Sequence, residues 1–179
     1  NIVLAFEFAD NDVYRAVTHN KGIMNGIISV ANAVGQDSRA IEAAANAYAA
    51  ISGKYRSLSK WSKNENGDLV GILEIPLSVG IVGGIVNVHP VAKVCAKILN
   101  VESAQELACV MTATGLAQNY SAIRALSTEG IQKGHMRLHA RNLAAAAGAS
   151  TDKIDIVVQK MIENNKISLD GAKEILQTF

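Results

Sequence analysis

Two apolar periodicities near the start of the chain constrain its fold more than any other feature. From Gly22 to Val34 the apolar positions Ile23, Ile27, Ile28, Val30 and Val34 fit a largely buried helix, which Gly35-Gln36-Asp37 ends. Ser38 to Ile51 then restart as an alanine-rich helix, with Ile41, Ala44, Ala45, Tyr48 and Ile51 on one face. The 49% hydrophobic and 18% charged residues of the 179 suffice for one well-formed core with a small appended unit. Only 2 prolines and 4% aromatics accompany the alanine-rich runs, which points to helix packed on helix or sheet through small side chains.

The rest of the chain supplies the sheet and a tail. Ile2 to Phe8 read as a short strand, and Asp10-Asn11-Asp12 open the segment leading to Arg15 and Lys21. A polar stretch from Ser52 to Asp68, with the turn signal Asn66-Gly67, reads as a loop, and its lone Trp61 has no role that the surrounding residues define. LVGILEIPLSVG has the β-branched character of a strand, with Pro76 marking an edge or a break. His89-Pro90 precede a helix through Leu99, and Ala104 to Ser127 read as one long helix. Beyond a boundary at GIQKGH come an alanine-rich helix and two short amphipathic ones, 153–164 and 168–178, the second opened by Ser168 with Asp170-Gly171. The expected fold is therefore α+β, helices on a small sheet over residues 1–132, followed by a small helical unit, 133–179, hinged on Gly130 and Gly134.

Several function classes find no support. Net charge is +1 with scattered basic residues, so no nucleic-acid footprint stands out. Cys95 and Cys109 form no C-x-x-C and fall in apolar helical patterns, as expected of buried free thiols in a reducing compartment. No apolar run is long enough for a membrane span and no charged leader with a cleavage site opens the chain, so a cytoplasmic protein is expected. Asn1 in place of a methionine, followed at once by apolar residues, reads as a chain entered partway through a fold.

The candidate chemistry starts in THNKGIMNG. Lys21 and Asn25 stand four apart, so on a helix they share a face, while Gly22 and Gly26 let the backbone pass close to a neighbour. Lys21 is either a solvated charge or a buried electrophile. Asp37, just before Ser38, is either a helix cap or the partner of an ion pair that holds Lys21 charged, so that the lysine acts as an oxyanion donor. His135 and His139 have the i, i+4 spacing of metal ligands but lack the internal Glu of H-E-x-x-H and a third ligand, so no metal is expected. His135 is then a surface residue or a general acid on a movable segment. The glycines of LSVGIVGGIV spell neither G-x-G-x-x-G nor a P-loop, and no nucleophile elbow is present.

The order of these phrases resembles one family, 3-hydroxy-3-methylglutaryl-coenzyme A reductase of the bacterial and archaeal type. The matching phrases are DVYRAVTHNKGIMNG, AVGQDSRAIEA, LEIPLSVGIVGG, GLAQNYSAIRAL and STEGIQKGHMRLHAR. The resemblance implies that Lys21 is a catalytic lysine aimed at the thioester or aldehyde oxygen, with Asn25 and Asp37 holding it. It implies that His135 protonates the departing coenzyme A thiolate from a C-terminal flap. Arg15 corresponds to the residue that pairs with the substrate carboxylate, a task suited to a planar guanidinium, and Gln118 and Asn119 match positions near the acyl-coenzyme A. NAD(H) or NADP(H) and coenzyme A are implied, as is a homodimer or higher oligomer with the site at the subunit interface.

Two departures accompany the match. Gly83-Gly84 are followed by Ile85-Val86 where the family has a small residue and Thr, and the family's first half is absent from these residues, with its DAMGAN-like motif, nicotinamide-cofactor domain and catalytic glutamate. The expectation is a partial chain of a reductase that interconverts the thioester and mevalonate, inactive by itself and with no cofactor-binding residues assigned. Two alternatives are a non-catalytic helical assembly module that retains half the fold and a Schiff-base lyase using Lys21 as nucleophile.

Overall fold

Asp12 decides where the helix that carries Lys21 begins. Its side chain accepts the Arg15 N–H at 2.7 Å, which caps α2 (Val13–Ala33) well before the apolar run at Gly22. The Asp12 N–H also closes α1 (Ile2–Asn11) on the Phe8 carbonyl at 3.0 Å. The expected strand at Ile2 to Phe8 is therefore a helix. Ile2, Val3, Ala5, Phe6 and Ala9 recur at helical spacing on its more buried side, a period that the apolar, β-branched composition masked. The structure, a computed structural model, describes residues 1–85, 88–128 and 130–178, and for 131–135 the backbone alone.

Two compact units divide the chain, Asn1–Ser127 and Thr128–Phe179, a division that falls just before Gly130. In the first, α2 is followed by α3 (Ser38–Ala49), the hairpin β1 (Ser59–Lys63) and β2 (Leu69–Leu73), then α4 (Pro90–Leu99) and α5 (Ala104–Ser127). The strands pair antiparallel in the register Trp61↔Gly71. β1 lies inside the stretch read as a loop, and β2 ends before Pro76. Polar Ser and Lys residues hid the strand, because of its two buried positions, Ser59 and Trp61, only Trp61 is apolar.

The core of this unit joins Ile23, Ile27, Ala31 and Val34 of α2 to Ile41, Ala45 and Ala49 of α3 and to Leu107 and Met111 of α5. Glycine makes the α2–α5 contact possible at two points. A Cβ on Gly26 would stand 2.7 Å from the Thr114 carbonyl oxygen, and one on Gly115 would stand 2.7 Å from Ile27. Gly22, by contrast, faces open space. Cys95 and Cys109 are free thiols, but rather than buried, Cys95 is half-buried and Cys109 exposed. No helix among the described residues is long and apolar enough to cross a membrane.

The second unit is a three-helix cluster of α6 (Ile131–Ala146), α7 (Ile154–Glu163) and α8 (Leu169–Leu176). Ala140 and Ala144 meet Val157, Val158, Met161, Ala172 and Ile175 in its own core. Ser168 caps α8 by accepting the Gly171 N–H at 3.0 Å. With eight helices and one two-stranded sheet among the described residues, the chain is α+β as expected.

The two glycines of THNKGIMNG should respond oppositely to alanine. Gly26→Ala forces the α2–α5 backbones apart and should cost about 1–3 kcal/mol, whereas Gly22→Ala adds helix propensity in open space and should gain roughly 0.5–1 kcal/mol. Urea unfolding of the two variants measures both signs.

Candidate functional site

α2 sets Lys21, Asn25 and Ser29 on one side at four-residue spacing, and all three line a cleft of about 600 Å³. Glu42 and Asn46 of α3 and Tyr55 and Leu58 of the following segment form other parts of its lining. Asn25, its amide oriented by its hydrogen bonds, accepts from Lys21 Nζ at 3.3 Å and donates to the Lys21 carbonyl at 3.3 Å. The lysine is thus exposed on the cleft and restrained by an amide one turn away, an arrangement in which an ammonium can meet a ligand oxygen.

Asp37 does not complete this pair. Among the described residues it forms no ion pair with Lys21; Oδ1 instead accepts the Arg39 and Ala40 N–H groups, both at 3.1 Å, as the N-cap of α3. The backbone N–H groups left unpaired at a helix start compete directly for that carboxylate. Arg15, half-buried, donates from Nη1 to Thr18 Oγ1 at 2.7 Å, and burial lowers its pKa from the usual value. Gln118 is exposed on α5, its Cβ close to the backbone of Gly26. His135 has its side chain outside the described residues, and His139 is exposed.

Asn119 stands apart from the residues that line the cleft. It is 1% exposed and sits at the centre of a buried polar network. Its Oδ1 accepts from Trp61 Nε1 at 2.8 Å and from the Ser59 hydroxyl at 3.0 Å, and its Nδ2 lies 3.1 Å from His19 Nε2. Ser59 Oγ lies 2.7 Å from the same ring nitrogen. The tautomer of His19 sets these roles: a protonated Nε2 donates to Ser59 Oγ, whose own proton goes to Asn119 Oδ1, whereas an unprotonated Nε2 accepts. Trp61, without a role in the sequence reading, is held here over Gly71, with Tyr120 at 5.7 Å between ring centroids.

His19 and its neighbour Asn20 are the residues that sequence reasoning missed. Asn20 donates to the Arg56 carbonyl at 2.8 Å and accepts the Leu58 N–H at 2.9 Å, which ties α2 to the segment before β1. A signal was present. Once α2 is extended back to Val13, Ala16, His19, Asn20, Ile23 and Ile27 make one buried stripe, and polar residues in such a stripe require buried partners.

The family described as hydroxymethylglutaryl-coenzyme A reductase matches residues 1–140. The 3-hydroxy-3-methylglutaryl-coenzyme A reductase of Archaeoglobus fulgidus is 56% identical over 98% of this chain and 40% of its own length. A probable reductase of the same name from Borreliella burgdorferi is 44% identical over 91% of this chain and 38% of its own. Among solved structures, the class II reductase of Streptococcus pneumoniae bound to NADPH in open conformations superposes with a TM-score of 0.70 at 43% identity, covering 99% of this chain and 43% of that one. The chain belongs to the hydroxymethylglutaryl-coenzyme A reductase family, and it spans about 40% of the length of these relatives.

The buried imidazole carries a pH signature. Desolvation, aided by the positive charge of Arg15 and opposed by Asp10, lowers the His19 pKa from 6.5 to about 4. Between those values the unfolded chain binds more protons than the folded one. The contribution is therefore complete above pH 6.5 and is lost as pH falls toward 4, on the order of 3 kcal/mol in all. Urea midpoints measured down this range should decline for the native sequence and decline less for His19→Gln.

Proposed function

We propose that the protein carrying this chain interconverts 3-hydroxy-3-methylglutaryl-coenzyme A with mevalonate and coenzyme A, using two equivalents of NAD(P)H. The placement of Lys21 beside Asn25 on an open cleft, in a chain of this family, is the observation that supports the reading most directly. A soluble cytoplasmic enzyme that works as a homodimer or higher oligomer is part of the same proposal.

In this reading the Lys21 ammonium donates to the thioester oxygen as negative charge develops on it, and does so again at the aldehyde oxygen in the second reduction. Asn25 restrains the ammonium. The family resemblance gives Asp37 a part in holding the lysine; in this chain its Oδ1 caps α3, and Oδ2 takes no hydrogen bond among the described residues. Arg15 pairs with the free carboxylate of the substrate, having guanidinium nitrogens beyond the one bound to Thr18. Gln118, exposed beside the glycine contact, faces the acyl portion. Once the carbon–sulfur bond breaks, His135 gives its proton to the coenzyme A thiolate, leaving an aldehyde for the second step.

The nicotinamide supplies hydride when bound. The described residues do not fit it as a resident group: the one glycine-rich segment, 80–84, lacks the dinucleotide spacing, and among the described residues no α-helix begins on it before Pro90. The residues that hold the cofactor are therefore not assigned within this chain.

Two variants of the full-length protein separate the roles. Lys21→Ala should lower kcat by roughly 10²–10³-fold or more in both half-reactions, while His135→Ala should spare reduction of free mevaldehyde and impair only the thioester step. Thioester reduction at the native rate by the His135 variant would contradict its role, as would a Lys21 variant that retains activity.

A further inference from the structure

The cleft has one wall whose position depends on the interior. Tyr55 and Leu58, which share the cleft with Lys21, belong to the short segment between α3 and β1, which has no regular structure of its own. Two sets of buried bonds hold it. Asn20 clasps the backbone at Arg56 and Leu58, and directly afterwards Ser59 and Trp61 are fastened to His19 of α2 and Asn119 of α5. His19 and Asn20 immediately precede Lys21 on the same helix, so the segment is anchored to the stretch of α2 that carries the lysine.

No buried side-chain nitrogen or oxygen among the described residues lacks a partner. Ser59 is fully buried, while His19, Asn119 and Trp61 are almost so, and their bonds connect three separate elements, α2, β1 and α5. An apolar core at this position would hold the elements together without fixing their relative height. Directional bonds between a neutral imidazole, a hydroxyl, an amide and an indole N–H add that specification, since shifting one element breaks several bonds at once.

We propose that the His19–Ser59–Asn119–Trp61 network is a positioning device for the Lys21 cleft. It sets the 55–58 wall against the face of α2 that bears Lys21 and Asn25, and so fixes the geometry in which the lysine meets the substrate oxygen. Asn119 is thereby a positioning residue that acts through β1 and α2, not a contact to the acyl-coenzyme A. The proposal rests on the catalytic reading of Lys21 given above, but the clamp itself is a property of the fold.

The test uses the full-length protein with two substitutions of one residue. His19→Gln keeps an acceptor within reach of Asn119 and Ser59, whereas His19→Leu fills the space and bonds to neither. At a temperature where all forms are folded, His19→Leu should lower kcat for thioester reduction about 10–100-fold, since small misplacements of a reacting pair cost that much. KM for the thioester should stay within about twofold, and His19→Gln should recover most of the loss. Hydrogen exchange at the Leu58 amide should quicken in the Leu variant alone.

Native kcat in the Leu variant, or equal losses in Leu and Gln, would overturn the proposal. If His19→Leu does not fold, Trp61→Phe replaces it under the same criteria, because it keeps the ring over Gly71 and removes only the N–H donated to Asn119. A native protein without reductase activity would overturn the catalytic reading instead. The clamp would then be judged by Leu58 exchange, and unchanged protection would remove it as well.

Discussion

The close crossing of α2 and α5 is the constraint on which the first unit depends. At Gly26 the helices approach within a distance that no side chain tolerates, with the Thr114 carbonyl 2.7 Å from where a Cβ would stand, and Gly115 repeats the arrangement from the other helix. Glycine in a helix interior costs about 1 kcal/mol of propensity, and this contact offsets that cost by letting Ile23, Ile27 and Met111 pack at short range. The approach also brings His19 of α2 and Asn119 of α5 within hydrogen-bonding distance. Apolar packing and polar specification thus follow from the same pair of small residues.

Much of this was legible in the chain itself, and what was not has physical causes. The helical period of residues 38–51, the His89-Pro90 start and the long run from Ala104 to Ser127 each carry a strong local signal, and α3, α4 and α5 lie where that signal puts them. Gly26 was readable as a point of close approach. α1 was misread because its β-branched and aromatic residues suggested a strand, although their 3–4 spacing is that of a helix. β1 was missed because its buried positions, Ser59 and Trp61, owe their burial to partners 60 and 58 residues away in sequence. No window of local sequence contains such partners.

The site divides in the same way. Lys21 and Asn25 could be paired from spacing alone, because four residues on a helix bring two side chains together wherever the helix lies. Asp37 could not be resolved between cap and ion pair without coordinates, and the N–H groups at the start of α3 take its Oδ1. Asn119 shows the limit of motif transfer. Its phrase, GLAQNYSAIRAL, correctly marks the family, yet the two neighbours Gln118 and Asn119 point to opposite environments, one exposed and one buried. Adjacent positions on a helix stand about 100° apart, and a motif does not say which of them faces inward.

The proposed reduction of a thioester to an alcohol in two hydride steps is tested most directly by the stoichiometry of the full-length protein. Nicotinamide oxidation, free thiol and mevalonate are followed together after 3-hydroxy-3-methylglutaryl-coenzyme A is added. Two nicotinamides oxidised and one thiol released for each mevalonate formed are expected. Thiol release without nicotinamide oxidation would mean hydrolysis rather than reduction, and either that result or no turnover of the thioester would contradict the account.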